Sequence, residues 1–148
     1  MINIYPVFHN KKQYLDLLLL ADEQESMIDR YLERGDMFVL SDNNEVKASC
    51  VITEEGAGVY EIKNIAVYPQ FQRQGYGKKL ISFLLEHYKT QCHTMLVGTG
   101  DSPAHPINSG ERKKILSLHH GKFNVRVFGK LHAAIQYIIP FYNSKSRK

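Results

Sequence analysis

The sequence predicts an α+β fold in which a mixed, mainly antiparallel sheet is flanked by helices. Three observations carry this. Apolar residues recur at helical spacing in two runs near the N-terminus, three strand-like runs then follow one another through clusters of turn formers, and a long amphipathic helix separates the last of these from one more strand. With 148 residues the chain fits one domain with a real hydrophobic core, so residues 1–148 are read as a single unit.

Residues 2–8 alternate loosely and predict a first strand. Residues 11–21 bring Tyr14, Leu15, Leu18 and Leu19 to one face, and residues 25–34 do the same with Met27, Ile28, Tyr31 and Leu32. Two helices follow, the second stopped by Gly35. The runs 37–40 and 46–52 are strand-like and are joined by Ser41-Asp42-Asn43-Asn44-Glu45, which predicts a hairpin. The turn formers at 54–58 lead to a third antiparallel strand over residues 59–67. From Gly75 to Lys89, the spacing of Leu80, Ile81, Leu84, Leu85 and Tyr88 gives an amphipathic helix over one sheet face. Residues 93–97 form the next strand, and a crossover helix makes it parallel to the strand at 59–67. Further on, residues 123–128 alternate as one strand, and 132–139 predict a helix ended by Pro140.

Charge divides the chain unevenly. Residues 1–100 hold 10 Lys and Arg against 13 Asp and Glu, whereas residues 101–148 hold 9 against 2, so an overall +4 joins a −3 part to a +7 part. Segment 101–148 is therefore an atypical basic end. Such a tail suits nucleic acid or another acidic surface, but no reading motif or set of interleaved aromatics accompanies it, which weighs against nucleic acid. The start of the chain lacks the basic and apolar stretches of a signal peptide, and the longest apolar patch, residues 17–21, is far below the ~20 residues of a membrane span. The expectation is a cytoplasmic protein with no membrane partner. Cys50 and Cys92 lie in apolar runs without metal-ligand spacing and read as small buried hydrophobes. His119 and His120 have no carboxylate or cysteine beside them and read as a solvated loop. His87 and His93 read as surface residues, and no metal site is expected.

The chemistry concentrates in residues 60–81, a strand, a short polar turn, the pair Gly75 and Gly77, and the start of a helix. Glycines there let a ligand approach the backbone, and the first amides of a helix have no partner within it. With the helix dipole they form an anion site. A nucleoside-triphosphate loop needs Gly-Lys followed by Ser or Thr, and Gly77-Lys78-Lys79 lacks that hydroxyl. A dinucleotide fingerprint needs a third glycine and a distal acid in a βαβ unit.

The order of elements, with Gln72-Arg73-Gln74-Gly75-Tyr76-Gly77 between the strand Ile65-Ala66-Val67 and the helix, resembles the GCN5-related N-acetyltransferase (GNAT) superfamily over about residues 2–100. The six residues satisfy that family's acetyl-CoA pattern of Gln or Arg, two of any kind, Gly, one of any kind, then Gly or Ala. The resemblance implies a GNAT-type fold that takes acetyl-CoA as co-substrate and acetylates a primary amine by direct attack. It implies that the loop Gln72, Arg73, Gln74, Gly75, Tyr76, Gly77 and Lys78 holds the pyrophosphate, with Lys79 near other phosphates. The pantetheine arm would lie along Ile65, Ala66 and Val67 like an added strand, and the amide near Ile65 would polarise the thioester carbonyl.

Attack needs a neutral amine, hence a base. Glu61, eleven residues before Gln72, resembles the catalytic glutamate of the histone-acetylating branch. Asn64 is a second candidate for orienting water or acceptor. Glu61 and Asn64 share a face only if a bulge intervenes, and the family commonly has one in this strand. The family's leaving-group acid is a tyrosine in a Phe-Tyr pair. Phe141-Tyr142 is the pair available, but 41 residues lie between Gly100 and Tyr142 and no Gly-Phe follows, so the C-terminal third departs from the pattern. The acceptor is a small-molecule or peptide amine, and a homodimer is compatible with the family. Two alternatives stand beside this reading: a GNAT-like protein that binds CoA without transfer, and a basic nucleic-acid binder working through residues 112–148.

Overall fold

The computed structural model describes residues 1–98, 113–119 and 122–126. Its sheet has seven strands in sequential order: β1 (Ile2–Val7), β2 (Asp36–Asp42), β3 (Glu45–Gly56), β4 (Val59–Val67), β5 (Thr94–Gly98), β6 (Lys113–His119) and β7 (Lys122–Arg126). Every neighbouring pair is antiparallel except β4 and β5, which run parallel as a crossover through a helix requires. The β2–β3 turn is made by Asn43 and Asn44, both left-handed at φ 51° and 64°, the conformation that suits a two-residue hairpin and that asparagine tolerates. No helix among the described residues is long and apolar enough to cross a membrane.

Each sheet face carries its own core. The helix α3 (Tyr76–His87) lays Leu80, Ile81 and Leu84 on one face, against Phe38, Leu40, Ala48, Cys50, Ile52, Tyr60 and Ile62. The opposite face packs Leu18 of α1 (Leu15–Ala21), Ile28 of α2 (Glu25–Ile28), Tyr31 and Leu32 against Val7, Met37, Val39 and Val51. Cys50 and Cys92 are buried free thiols, and burial pushes Cys50 up to about 12, so neither is a ready nucleophile.

Three elements differ from the sequence expectation. The first helical run begins as a 3-10 turn, Lys11–Tyr14, before α1. The second stops being α-helical at Ile28 and continues as turns. There the Lys11 ammonium, itself buried, binds the carbonyls of Leu32, Glu33 and Gly35 at 2.8, 3.3 and 2.7 Å and so caps the end of the run, where carbonyls have no helical amide to accept from. In the C-terminal part, residues 122–126 supply a strand where 123–128 was expected, residues 127 and 128 lying outside the described residues. It pairs with β6, which the sequence did not reveal and in which His119 is the last residue rather than part of a loop. The helix expected at 132–139 and the pair Phe141-Tyr142 lie outside the described residues.

Candidate functional site

The site is created by a parting of strands. Among the described residues, β4 pairs with β5 from Val59 to Ile62, whereas its pairing with β3 continues to Val67, so residues 63–67 have a described partner on one side alone. Which backbone groups face the gap follows from register. The amide of Tyr68 donates to Lys47 O at 3.0 Å, making that pair a hydrogen-bonded one, and alternation then assigns Ala66 and Asn64 to β3 as well. The N–H and C=O groups of Ile65 and Val67 point the other way, into the gap. Val67 O already accepts a bond from the Gln72 side chain, 3.2 Å from its Nε2.

The gap opens at a β-bulge. Val51 faces Asn64 but Ile52 faces Ile62, which leaves Lys63 as the extra residue. The side-chain alternation changes phase there. Tyr60 and Ile62 belong to the α3 face, as do Ile65 and Val67, while Glu61 and Asn64 are both turned to the α1 face. The bulge thus brings together the pair that simple alternation separates.

Glu61 is 5% exposed, and Lys63 Nζ lies 3.0 Å from its Oε2 without the alignment of a hydrogen bond. Lys63 Nζ also lies 3.5 Å from Glu55 Oε1, and that oxygen accepts from Thr53 Oγ1 at 2.6 Å and from Arg34 Nη2 at 3.0 Å. Burial raises Glu55, but the Thr53 hydroxyl and the Arg34 and Lys63 cations outweigh it and hold its carboxyl at about 2. Asn64 is engaged otherwise than the sequence suggested. Its Nδ2 donates to Leu18 O at 2.9 Å and to the Tyr31 hydroxyl oxygen at 3.1 Å, and Tyr31 donates onward to Asp22 Oδ2 at 3.3 Å. Burial pushes Tyr31 up to about 12, against the Asn64 bond and with the help of Asp22. Asn64 therefore ties α1 to β4, and its Oδ1 is buried without a hydrogen-bond partner among the described residues.

At the far end of the gap stands the N-terminus of α3. Lys79 N makes the first helical bond, to Gly75 O at 3.1 Å, so the amides of Tyr76, Gly77 and Lys78 precede the helical ladder. Gly75 is left-handed, with φ 88°, and a Cβ built on it meets nothing within 4 Å. This leaves open space above the amides, a cradle suited to phosphate oxygens. Arg73 is also left-handed, at φ 65°, a strained conformation for a residue with a side chain that the sequence did not signal. The loop is held from below: Lys47 Nζ sits 3.5 Å from the Phe71 ring centroid, Tyr68 donates to Asp16 Oδ2 at 2.8 Å, and the buried Tyr76 donates to Asp42 Oδ2 at 2.8 Å. Gln72, Arg73, Gln74 and Lys78 are exposed around it.

Lys63 is the residue that the sequence reading passed over. Its position two after Glu61, inside the strand segment where a bulge was expected, was the available signal.

A sheet that parts beside a bulge, with a glycine-marked helix start at the end of the gap, defines a CoA-type acyltransferase fold. The chain belongs to the acetyltransferase (GNAT) family, which matches residues 4–106. Among similar proteins, the uncharacterized N-acetyltransferase YvbK of Bacillus subtilis (strain 168) is 36% identical over 94 residues, 63% of this chain and 61% of that protein. The chain thus spans about three fifths of that relative's length. A GNAT family acetyltransferase from Elizabethkingia anophelis with acetyl-CoA bound superimposes with a TM-score of 0.63 at 36% identity, over 70% of this chain and 68% of that one. A Bacillus subtilis acetyltransferase in complex with CoA gives 0.62 at 33% identity, over 71% and 70%.

Proposed function

We propose that this protein transfers the acetyl group of acetyl-CoA to a primary amine by direct attack. The observation that carries the reading is the β4–β5 gap, lined by the main-chain groups of Ile65 and Val67 that face away from β3 and ending at the amides beside Gly75. The acetyl-CoA bound in one related structure and the CoA bound in another support the same donor.

The residues divide the work as follows. Acetyl-CoA supplies the activated acetyl thioester. The amides of Tyr76, Gly77 and Lys78, with Gly75 permitting close approach, hold the pyrophosphate, and Gln72, Arg73 and Gln74 border it. Ile65, Ala66 and Val67 hold the pantetheine arm as an added strand would be held. The Ile65 amide withdraws charge from the thioester carbonyl. Glu61 takes a proton from the acceptor's ammonium, since only the neutral amine has a lone pair. Tyr142 is proposed as the proton donor to the departing thiolate.

The test pairs calorimetric CoA binding with thiol release over a panel of amines. Glu61→Gln is expected to keep CoA affinity and to lower the rate by about 10² or more. An unchanged rate would remove Glu61 as base, and CoA binding without turnover of any amine would favour a CoA-binding protein that has no transfer activity.

A further inference from the structure

An amine already occupies the position beside Glu61 that an acceptor's nitrogen must take. Lys63 Nζ lies 3.0 Å from Glu61 Oε2, and Lys63 is the bulge residue at which the β4–β5 gap opens. Its side chain is 22% exposed, and the neighbouring Glu55 is already served by Thr53 and Arg34, so Lys63 is not needed to satisfy that carboxylate. We propose that Lys63 is itself an acetylation site, modified by the chain's own bound acetyl-CoA. This rests on the donor site and on Glu61 as base.

The step balances without a further reagent. Glu61 accepts one proton from the Lys63 ammonium, and the neutral Nζ attacks the thioester carbonyl carbon. The C–N bond forms, the C–S bond breaks, one of the two protons left on the nitrogen goes to the sulfur so that CoA leaves as the thiol while the other stays as the amide N–H, and Glu61 returns its proton to solvent. The product is a neutral amide. It withdraws the cation from Glu61 and Glu55 and places an acetyl group where the acceptor amine would otherwise dock, so the modified site differs in both charge and space from the unmodified one.

Three other described lysines are placed differently. Lys11 is buried on three carbonyls, Lys47 lies over Phe71, and Lys89 is exposed with only Glu86 beside it, which makes Lys89 the reference for uncatalysed modification.

The experiment incubates the purified full chain with acetyl-CoA and no added amine, then maps acetyl-lysine by peptide mass spectrometry over time. Lys63 is expected to acquire acetyl about tenfold or more faster than Lys89, with CoA thiol released in step. Glu61→Gln is expected to slow Lys63 by a similar factor while calorimetric CoA affinity and Lys89 modification stay as they were. Lys63→Arg should abolish the acceptor-free thiol release. Modification of Lys63 no faster than Lys89, in protein that binds CoA, would overturn the proposal while leaving the donor site intact. Absence of CoA binding would overturn both.

Discussion

Tyr76, the first residue of α3, donates its hydroxyl hydrogen to Oδ2 of Asp42 at the end of β2, 2.8 Å away. The same carboxylate lies 3.3 Å from the chain's terminal ammonium. The Tyr76 bond first, and the terminal cation after it, hold Asp42 below its ordinary value of 3.8 against the effect of burial. A depressed carboxyl stabilises the fold above its ordinary value, and that contribution disappears as pH falls through the lowered one. Tyr76→Phe should therefore flatten the acid limb of the stability curve below about pH 4. Because the bond also fixes where α3 begins, calorimetry should show CoA affinity falling severalfold, with the far-UV spectrum unchanged.

Gly75 separates the needs of the fold from those of a ligand. Its φ of 88° makes any side chain strained, yet among the described residues no atom lies within 4 Å of the Cβ it would carry. Gly75→Ala should thus cost about 1–2 kcal/mol from the left-handed backbone and still fold. Gly75→Trp should add little further instability, because the extra atoms enter open space, but it should abolish CoA binding. Urea unfolding and calorimetry on both variants check the two halves. Normal CoA binding by Gly75→Trp would remove this loop from the phosphate site.

Periodicity and turn chemistry made most of the sheet legible, because each strand of the meander buries one face and each turn carries its own signature. The Asn43-Asn44 hairpin and the parallel β5 follow from local rules alone. Interactions distant in sequence were not legible. The turns that follow α2 are held by Lys11, more than twenty residues upstream of the carbonyls it binds, and a lysine on a polar stretch looks like a solvated one. Within the site, the six-residue loop was readable because its glycines serve backbone geometry. Glu61 was readable as a carboxylate, but its ion pair was not, since the bulge that turns Glu61 and Asn64 to one face also sets Lys63 beside it. The family match ends at residue 106, close to where the charge changes sign.

Glu55 gives a second acid-sensitive feature, of different origin. Its carboxyl is held at about 2 by Thr53, Arg34 and Lys63 despite burial, against an ordinary 4.5. Its contribution is complete above about pH 4.5 and fades as pH falls toward 2. Glu55→Gln should remove the pH dependence in that window and leave stability at neutral pH modestly lower. Lys63 then has Glu61 as its sole carboxylate among the described partners, so the same variant should alter the pH–rate profile of amine acetylation. Arg34→Met is the control: it loosens the hold on Glu55 but leaves that carboxylate charged beside Lys63.

Asn64 tests whether the α1 side of the site is held by a network or by separate bonds. Its two donor hydrogens go to Leu18 O and Tyr31, and Tyr31 in turn donates to Asp22, all in a nearly dry interface. Asn64→Ala leaves Leu18 O with the Asp22 amide at 3.2 Å and removes two bonds, those to Leu18 and Tyr31, a loss of about 1–3 kcal/mol. Tyr31→Phe removes one acceptor and one donor but keeps the Leu18 bond, so about 1 kcal/mol is expected. If the three groups act as one network, the double variant should lose less than the sum of the two by at least about 0.5 kcal/mol in urea unfolding. Strict additivity would show that the Leu18 bond alone docks α1. In either case hydrogen exchange should quicken first at Leu18 and its neighbours in α1, because that is the segment Asn64 fastens to β4, and the CoA loop on the other face of the sheet should exchange as before.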